Sequence, residues 1–283
     1  MFILPIIKCG RNILLTIRAA YTLEAINDHS HSKPYDNHYG PDRSSARRAG
    51  SRGPAITYVP RRRAQPDSDW SATEIIAAFH TKYSDLAYPE IIVYSVNMNV
   101  LVKFVETKNW PGLSEWLLEK IFSLHRAGAE FAAIASNTPH IIFDEIKTKS
   151  PIPLLSIVEA TCNKAQEMGL KNVGLMGTKL TMEAEFYKKP FISKGISVVV
   201  PLEEEQQLIH HKLFSEIELG IFMDSTREEL LSITRRMVDE EGIDALILGC
   251  TELPLILTES KYRIPFLNTS AIHCESIITH CVE

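Results

Sequence analysis

The chain has 283 residues, 45% of them apolar and 23% charged, with a formal net charge of −5. That is the make-up of a globular protein long enough for one large or two smaller cores. The acidic balance gives no basis for a nucleic-acid partner, and no apolar run reaches the ~18–20 residues that span a bilayer, so no membrane partner is expected either.

Five cysteines (Cys9, Cys162, Cys250, Cys274 and Cys281) are an odd count without Cys-x-x-Cys spacing. This argues against a disulfide framework or a zinc ribbon and for a reducing compartment, with no metal ligands expected. Charge is uneven along the chain. Residues 1–65 hold eleven Lys/Arg against four Asp/Glu, a net of +7, and the remainder a net of −12.

Residues 1–23 lack an acidic residue and carry three basic ones among many aliphatics. They read either as a mitochondrial-type targeting segment or as an irregular start, and without targeting the compartment expected is the cytoplasm. Residues 27–69 are rich in Ser, His, Pro, Arg and Asn, include Arg61-Arg62-Arg63, and read as disordered with a solvated basic run. Residues 1–69 are therefore expected to be an N-terminal extension.

Order is expected from Trp70. Ile75, Ile76, Phe79 and Tyr83 have helical spacing after a Ser71–Glu74 capping box. Glu90–Val96 reads as a strand, Trp116–Leu124 as a helix closed by Gly128, and Phe131–Ala135 as a strand opening into Ser136-Asn137-Thr138-Pro139-His140. A short strand at Ile152–Ile157, a helix to Met168 and a strand at Asn172–Met176 follow, the last opening into Gly177-Thr178-Lys179-Leu180-Thr181. After a strand at Ile196–Val200 and helices near 204–216 and 226–240, Ala245-Leu246-Ile247-Leu248 runs straight into Gly249-Cys250-Thr251-Glu252. A helix from Pro254, a strand at Pro265–Leu267 and a terminal helix complete the chain. Alternating strands and helices predict an α/β protein with parallel sheets.

Two segments echo each other. Gly128 precedes Ser136 by eight positions across an apolar strand, and Gly242 precedes Cys250 by eight. Ile152-Pro153-Leu154-Leu155-Ser156 then matches Ile264-Pro265-Phe266-Leu267-Asn268 at nearly the same offset. The echo predicts a duplication: two pseudo-symmetric α/β domains with the active site between them, residues 70–152 forming the first, 153–255 the second, and 256–283 returning to the first. Ser136 and Cys250 would then face each other across a ligand.

One proton-transferring group on each face of a ligand suits racemisation, in which one group removes the α-proton and the other returns one. A thiolate is a competent base because free Cys titrates near ~8.5 and responds to its surroundings. Amide and hydroxyl groups at Asn137, Thr138, Thr178, Thr181 and Thr251 suit a substrate carboxylate and the charge that develops beside it.

Ala135-Ser136-Asn137-Thr138-Pro139-His140 resembles the Cys-Asn-Thr-Ala-His motif of the PLP-independent aspartate/glutamate racemase family. Leu248-Gly249-Cys250-Thr251-Glu252-Leu253 is similar to its second motif. Gly174–Met182, Val200-Pro201 and Thr269–His273 read as further family segments, so the resemblance spans about residues 70–283. It implies cofactor-free racemisation of acidic amino acids, aspartate or glutamate, by a homodimer. Cys250 would act as one acid/base, and Asn137, Thr138, Thr178, Thr181, Thr251 and Glu252 would line the substrate.

Two departures alter the expectation. Ser136 stands where the family has its first cysteine, and a hydroxyl is a poor base near neutral pH; His140, one helical turn on, is a candidate assistant. The family's opening strand and glycine-rich loop have no clear match. Ile56-Thr57-Tyr58-Val59 is the candidate strand, followed by Pro60 and the arginines. The sequence thus predicts an impaired racemase. A catalytically degenerate ligand-binding protein, or an isomerase or decarboxylase-like enzyme using Cys250 on another small dicarboxylate, are the alternatives.

Overall fold

The computed structural model describes residues 13–20, 68–82, 89–259 and 262–282. Two four-stranded parallel sheets organise them, each with helices on both faces.

The first sheet begins at β1 (Ile13–Ala20). Then come α1 (Ser68–Lys82), β2 (Glu90–Asn97), α2 (Met98–Glu106), α3 (Trp110–Arg126) and β3 (Ala132–Ile134), a 3₁₀ turn (Thr138–Ile142), α4 (Phe143–Lys149), β4 (Leu154–Leu155) and α5 (Ile157–Glu167). Its strand order is β2-β1-β3-β4. The second half continues with β5 (Asn172–Gly177), α6 (Lys179–Glu183), α7 (Glu185–Ser193), β6 (Ser197–Val199), α8 (Glu203–Ser215) and a 3₁₀ turn (Ile217–Leu219). It closes with α9 (Asp224–Glu241), β7 (Ala245–Gly249), α10 (Leu253–Ile256), β8 (Phe266–Asn268) and α11 (Thr269–Val282). Its order is β6-β5-β7-β8.

The two orders are the same when β1 to β4 are matched in turn with β5 to β8. The echo read from the sequence falls on β3–β4 and β7–β8, the equivalent pairs.

β1 corrects the expectation for the N-terminal region. The strand sought at Ile56–Val59, which lies outside the described residues, has its place taken by Ile13–Ala20, within the segment read as targeting or irregular. β1 pairs with β2 along its whole length and with β3 through Thr16 and Ile17. α1 also starts earlier than expected, at Ser68, so Ser71 lies inside the helix rather than capping it.

Local chemistry explains several boundaries. The Asn97 side chain accepts from the Asn99 N–H and starts α2, and Asn109 does the same for α3 through Gly112. Ser156 caps α5 through the Glu159 N–H. Gly242, at a φ of 64°, ends α9 in the left-handed conformation that glycine adopts without steric cost.

β7 is buried along its whole length, as a central parallel strand covered on both faces should be. At its end Gly249 pairs with Gly177 of β5. A Cβ on Gly249 would come within 2.9 Å of the Met176 carbonyl oxygen, and one on Gly177 within 2.9 Å of the Gly249 carbonyl oxygen. The close approach of the two backbones therefore requires glycine on both strands.

The core has four parts. Helices α2, α3 and α4 cover one face of the first sheet, and α1 and α11 the other. Helices α8, α9 and α10 cover one face of the second sheet, and α5 and α7 the other. The terminal helix α11 packs on both α1 and α5.

Candidate active site

In a parallel sheet the loops after the carboxyl ends gather along one edge. Met98 after β2, Ser136 after β3, Thr178 after β5 and Cys250 after β7 all line one cavity of about 590 Å³. Asn137, Thr138, Thr251 and Glu252 line it as well. Of the residues singled out from sequence, His140 stays out of the wall, and so does Thr181. Thr181 is fully buried directly behind it.

Thr181 supports the hydroxyls in front. Its Oγ1 lies 3.0 Å from that of Thr178 and 3.3 Å from that of Thr138, and these two are 3.1 Å apart. The Thr178 side chain also accepts from the Thr181 N–H, which starts α6. A loop of the first half and a loop of the second are thus tied through hydroxyl groups.

The Asn137 amide is engaged within the protein. The side chain donates to Thr269 Oγ1 at 3.2 Å, accepts from the Tyr187 hydroxyl at 3.4 Å, and is 2% exposed. Thr269 in turn donates to the Leu248 carbonyl at 2.9 Å. Asn137 therefore anchors the Ser136 loop to the end of β7, a tie across 132 residues of chain that no local pattern announces.

His140 does not assist the Ser136 hydroxyl. Its Nε2 accepts the Ile157 N–H at 3.3 Å, so Nδ1 carries the proton and donates it to the Ser136 carbonyl oxygen at 2.9 Å. Burial, with the neighbouring His273 second, pushes the ring down to about 3, leaving it neutral. The histidine joins the Ser136 loop to the start of α5.

Around Cys250 the local charge is negative. Cys250 is 6% exposed; its thiol donates its one proton to Glu252 Oε2 at 2.9 Å, and Glu218 Oε1 lies 3.3 Å from the sulfur. Thr251 also donates to Glu252 Oε2, at 2.8 Å. Burial, then the charges of Glu252 and Glu218, hold the thiol well above its ordinary value.

Sequence reasoning missed Glu218. It lies 32 residues before Cys250 on the 3₁₀ turn after α8, and nothing in its local sequence points to the thiol. One donor atom from each of Glu218, Cys250 and Glu252 falls within 4.8 Å of the others, so among the described residues these three are the side chains that could hold a metal ion here. His210 of α8, also in the wall, accepts the Lys179 N–H at 3.3 Å, and burial lowers its pKa.

The arrangement offers a thiol with a carboxylate acceptor, a hydroxyl on the equivalent strand end, and hydroxyl donors between them. That set can move a proton to and from carbon beside a carboxylate.

The sequence model of the family described as Asp/Glu/Hydantoin racemase matches residues 65–277, starting after β1. RacX of Bacillus subtilis (strain 168), described as a broad specificity amino-acid racemase, is 24% identical over 198 residues, spanning 69% of this chain and 83% of its own. The structure of an aspartate racemase homologue from Pyrococcus horikoshii OT3 superposes with a TM-score of 0.65 at 32% identity, covering 77% of this chain and 96% of that one. Aspartate racemase from Picrophilus torridus shares the fold, with a TM-score of 0.59 at 21% identity over 76% of this chain and 90% of its own.

Proposed function

The chain belongs to the Asp/Glu/Hydantoin racemase family, and on that premise we propose that it exchanges the α-proton of an amino acid at Cys250, with Ser136 as a weak partner on the opposite face. The observation that carries this reading is that Cys250 and Ser136 end the equivalent strands β7 and β3 and line the same cavity.

Cys250 starts as a thiol. Its proton passes to Glu252, already in hydrogen-bond contact, and the thiolate takes the α-proton of the bound amino acid. A substrate ammonium group beside Glu252 and Glu218 offsets the charges that otherwise disfavour the thiolate. The electron pair left on the α-carbon spreads into the carboxylate, where the hydroxyls of Thr138 and Thr178 supply hydrogen bonds.

Once the thiol has exchanged the abstracted proton with solvent, return of a proton from Cys250 restores the same enantiomer carrying a solvent hydrogen. Inversion needs a proton from the other face, where the Ser136 hydroxyl is a far weaker acid than a thiol. The reaction is therefore lopsided: α-proton exchange of one enantiomer outruns net racemisation.

Incubating each enantiomer in deuterated water and following the α-hydrogen by NMR tests the reading, with aspartate and glutamate first on the resemblance and the other amino acids after them. Fast exchange of one enantiomer with slow loss of optical rotation is expected. Equal exchange of both sinks the unequal roles of Ser136 and Cys250. Absence of exchange with every amino acid favours the binding-only alternative, which the raised pKa of Cys250 also supports.

A further inference from the structure

The proposed chemistry occupies only the α-carbon and its two charged groups, and the side chain must go where the cavity leaves room. At about 590 Å³ the cavity falls within the ~300–1,000 Å³ range of pockets that enclose drug-sized ligands, and an acidic amino acid fills only part of it.

One wall is apolar. Helices α2 and α3, which follow β2, contribute Met98, Leu101, Val102, Val105, Trp116 and Leu117. Leu101 and Leu117 are buried and continuous with the core of the first sheet, so this wall is part of the packed fold.

Among the described lining residues the charges do not suit a second substrate carboxylate. No arginine is found among the described lining residues, and the acids Glu106, Glu183, Glu218 and Glu252 stand against Lys108 and Lys179. Lys179 lies 3.5 Å from Glu183, which already balances its charge, and Lys108 is exposed. A carboxylate buried against an apolar wall without a cation is strongly disfavoured.

We propose that the α2–α3 wall is the side-chain subsite of the proton-exchange site and selects amino acids with long apolar side chains, of the size of leucine, methionine or phenylalanine, over aspartate and glutamate. The inference rests on the reading that the cavity binds an amino acid, and it departs from the expectation of an acidic substrate. Each methylene placed against such a wall adds affinity, and a carboxylate in the same position loses it.

Calorimetric titration of the full chain with both enantiomers of leucine, methionine, phenylalanine, aspartate and glutamate reads the subsite independently of chemistry, with α-deuterium exchange run on the same panel. Apolar amino acids should bind at least tenfold more tightly than the acidic ones, and exchange should follow the same order. Val102→Arg should weaken the apolar ligands about tenfold and strengthen the acidic ones; Val105→Arg on the same wall serves if the first variant does not fold. Tighter binding of aspartate or glutamate, or no binding by any of the panel, overturns the inference. Apolar binding without exchange keeps the subsite and removes the proton-exchange reading. Exchange confined to acidic amino acids keeps that reading and removes the subsite.

Discussion

The thiol of Cys250 and the carboxylate of Glu252, two residues apart at the end of β7, are joined by a hydrogen bond of 2.9 Å in which the sulfur is the donor. After burial, Glu252 is the next cause of the thiol's raised pKa, and the contact also places it to receive the thiol's proton.

Glu252→Gln should therefore have two opposite effects. With the negative charge gone, alkylation of Cys250 by iodoacetamide, followed by peptide mapping, should move to lower pH. With the proton acceptor gone, α-proton exchange should fall about a hundredfold. An alkylation profile that stays in place would show that Glu252 does not control the thiol.

Ser136→Cys should restore balance. A second thiol on the opposite face should bring racemisation up towards the rate of exchange, and the enantiomer left idle should begin to exchange. Chiral chromatography alongside NMR reads both rates. No gain would place the defect outside position 136.

The neutral histidines should make the fold sensitive to acid. Burial holds His140 at about 3 and His273 at about 4, both below the ordinary value of 6.5. Between pH 6.5 and 4 the unfolded chain binds protons that the folded chain refuses, so stability is present above pH 6.5 and is lost as pH falls. The loss is on the order of 3 kcal/mol per histidine. Urea unfolding at pH 7 and pH 4 measures it. His140→Gln should be less stable at pH 7 and lose less on acidification; an unchanged pH slope would exclude His140 as its source.

Gly249→Ala should disturb fold and site together. The added methyl meets the Met176 carbonyl oxygen at 2.9 Å and Leu175 Cδ1 at 2.8 Å, both in β5. The strands must separate at the point where they present Thr178 and Cys250, at a cost of about 1–3 kcal/mol. A lower urea midpoint with reduced exchange is expected, and wild-type behaviour in both would contradict the tight approach.

What could be read without a structure was whatever has a short period or a local signature. The apolar run ending in Gly249-Cys250-Thr251-Glu252, its echo ending in Ser136-Asn137-Thr138, and the alternation of strands and helices determined the α/β class, the duplication and the two strand ends that line one cavity. Sequence left β1 hidden, because it lies in an acid-free basic stretch that reads as a targeting segment and about fifty residues separate it from α1.

Tertiary structure alone decided the roles within the site. Asn137 faces Thr269 and Tyr187, His140 grips Ile157, and Thr181 backs the hydroxyls in front of it. Glu218 reaches Cys250 from a turn in a different loop, and α2 with α3 sets an apolar wall beside it. These partners lie 17 to 132 residues apart, or in Thr181's case 43 from Thr138, and each contact exists only once the sheets and helices have packed. Periodicity encodes which face of an element is buried; which polar groups meet behind that face is set by the packing of distant elements.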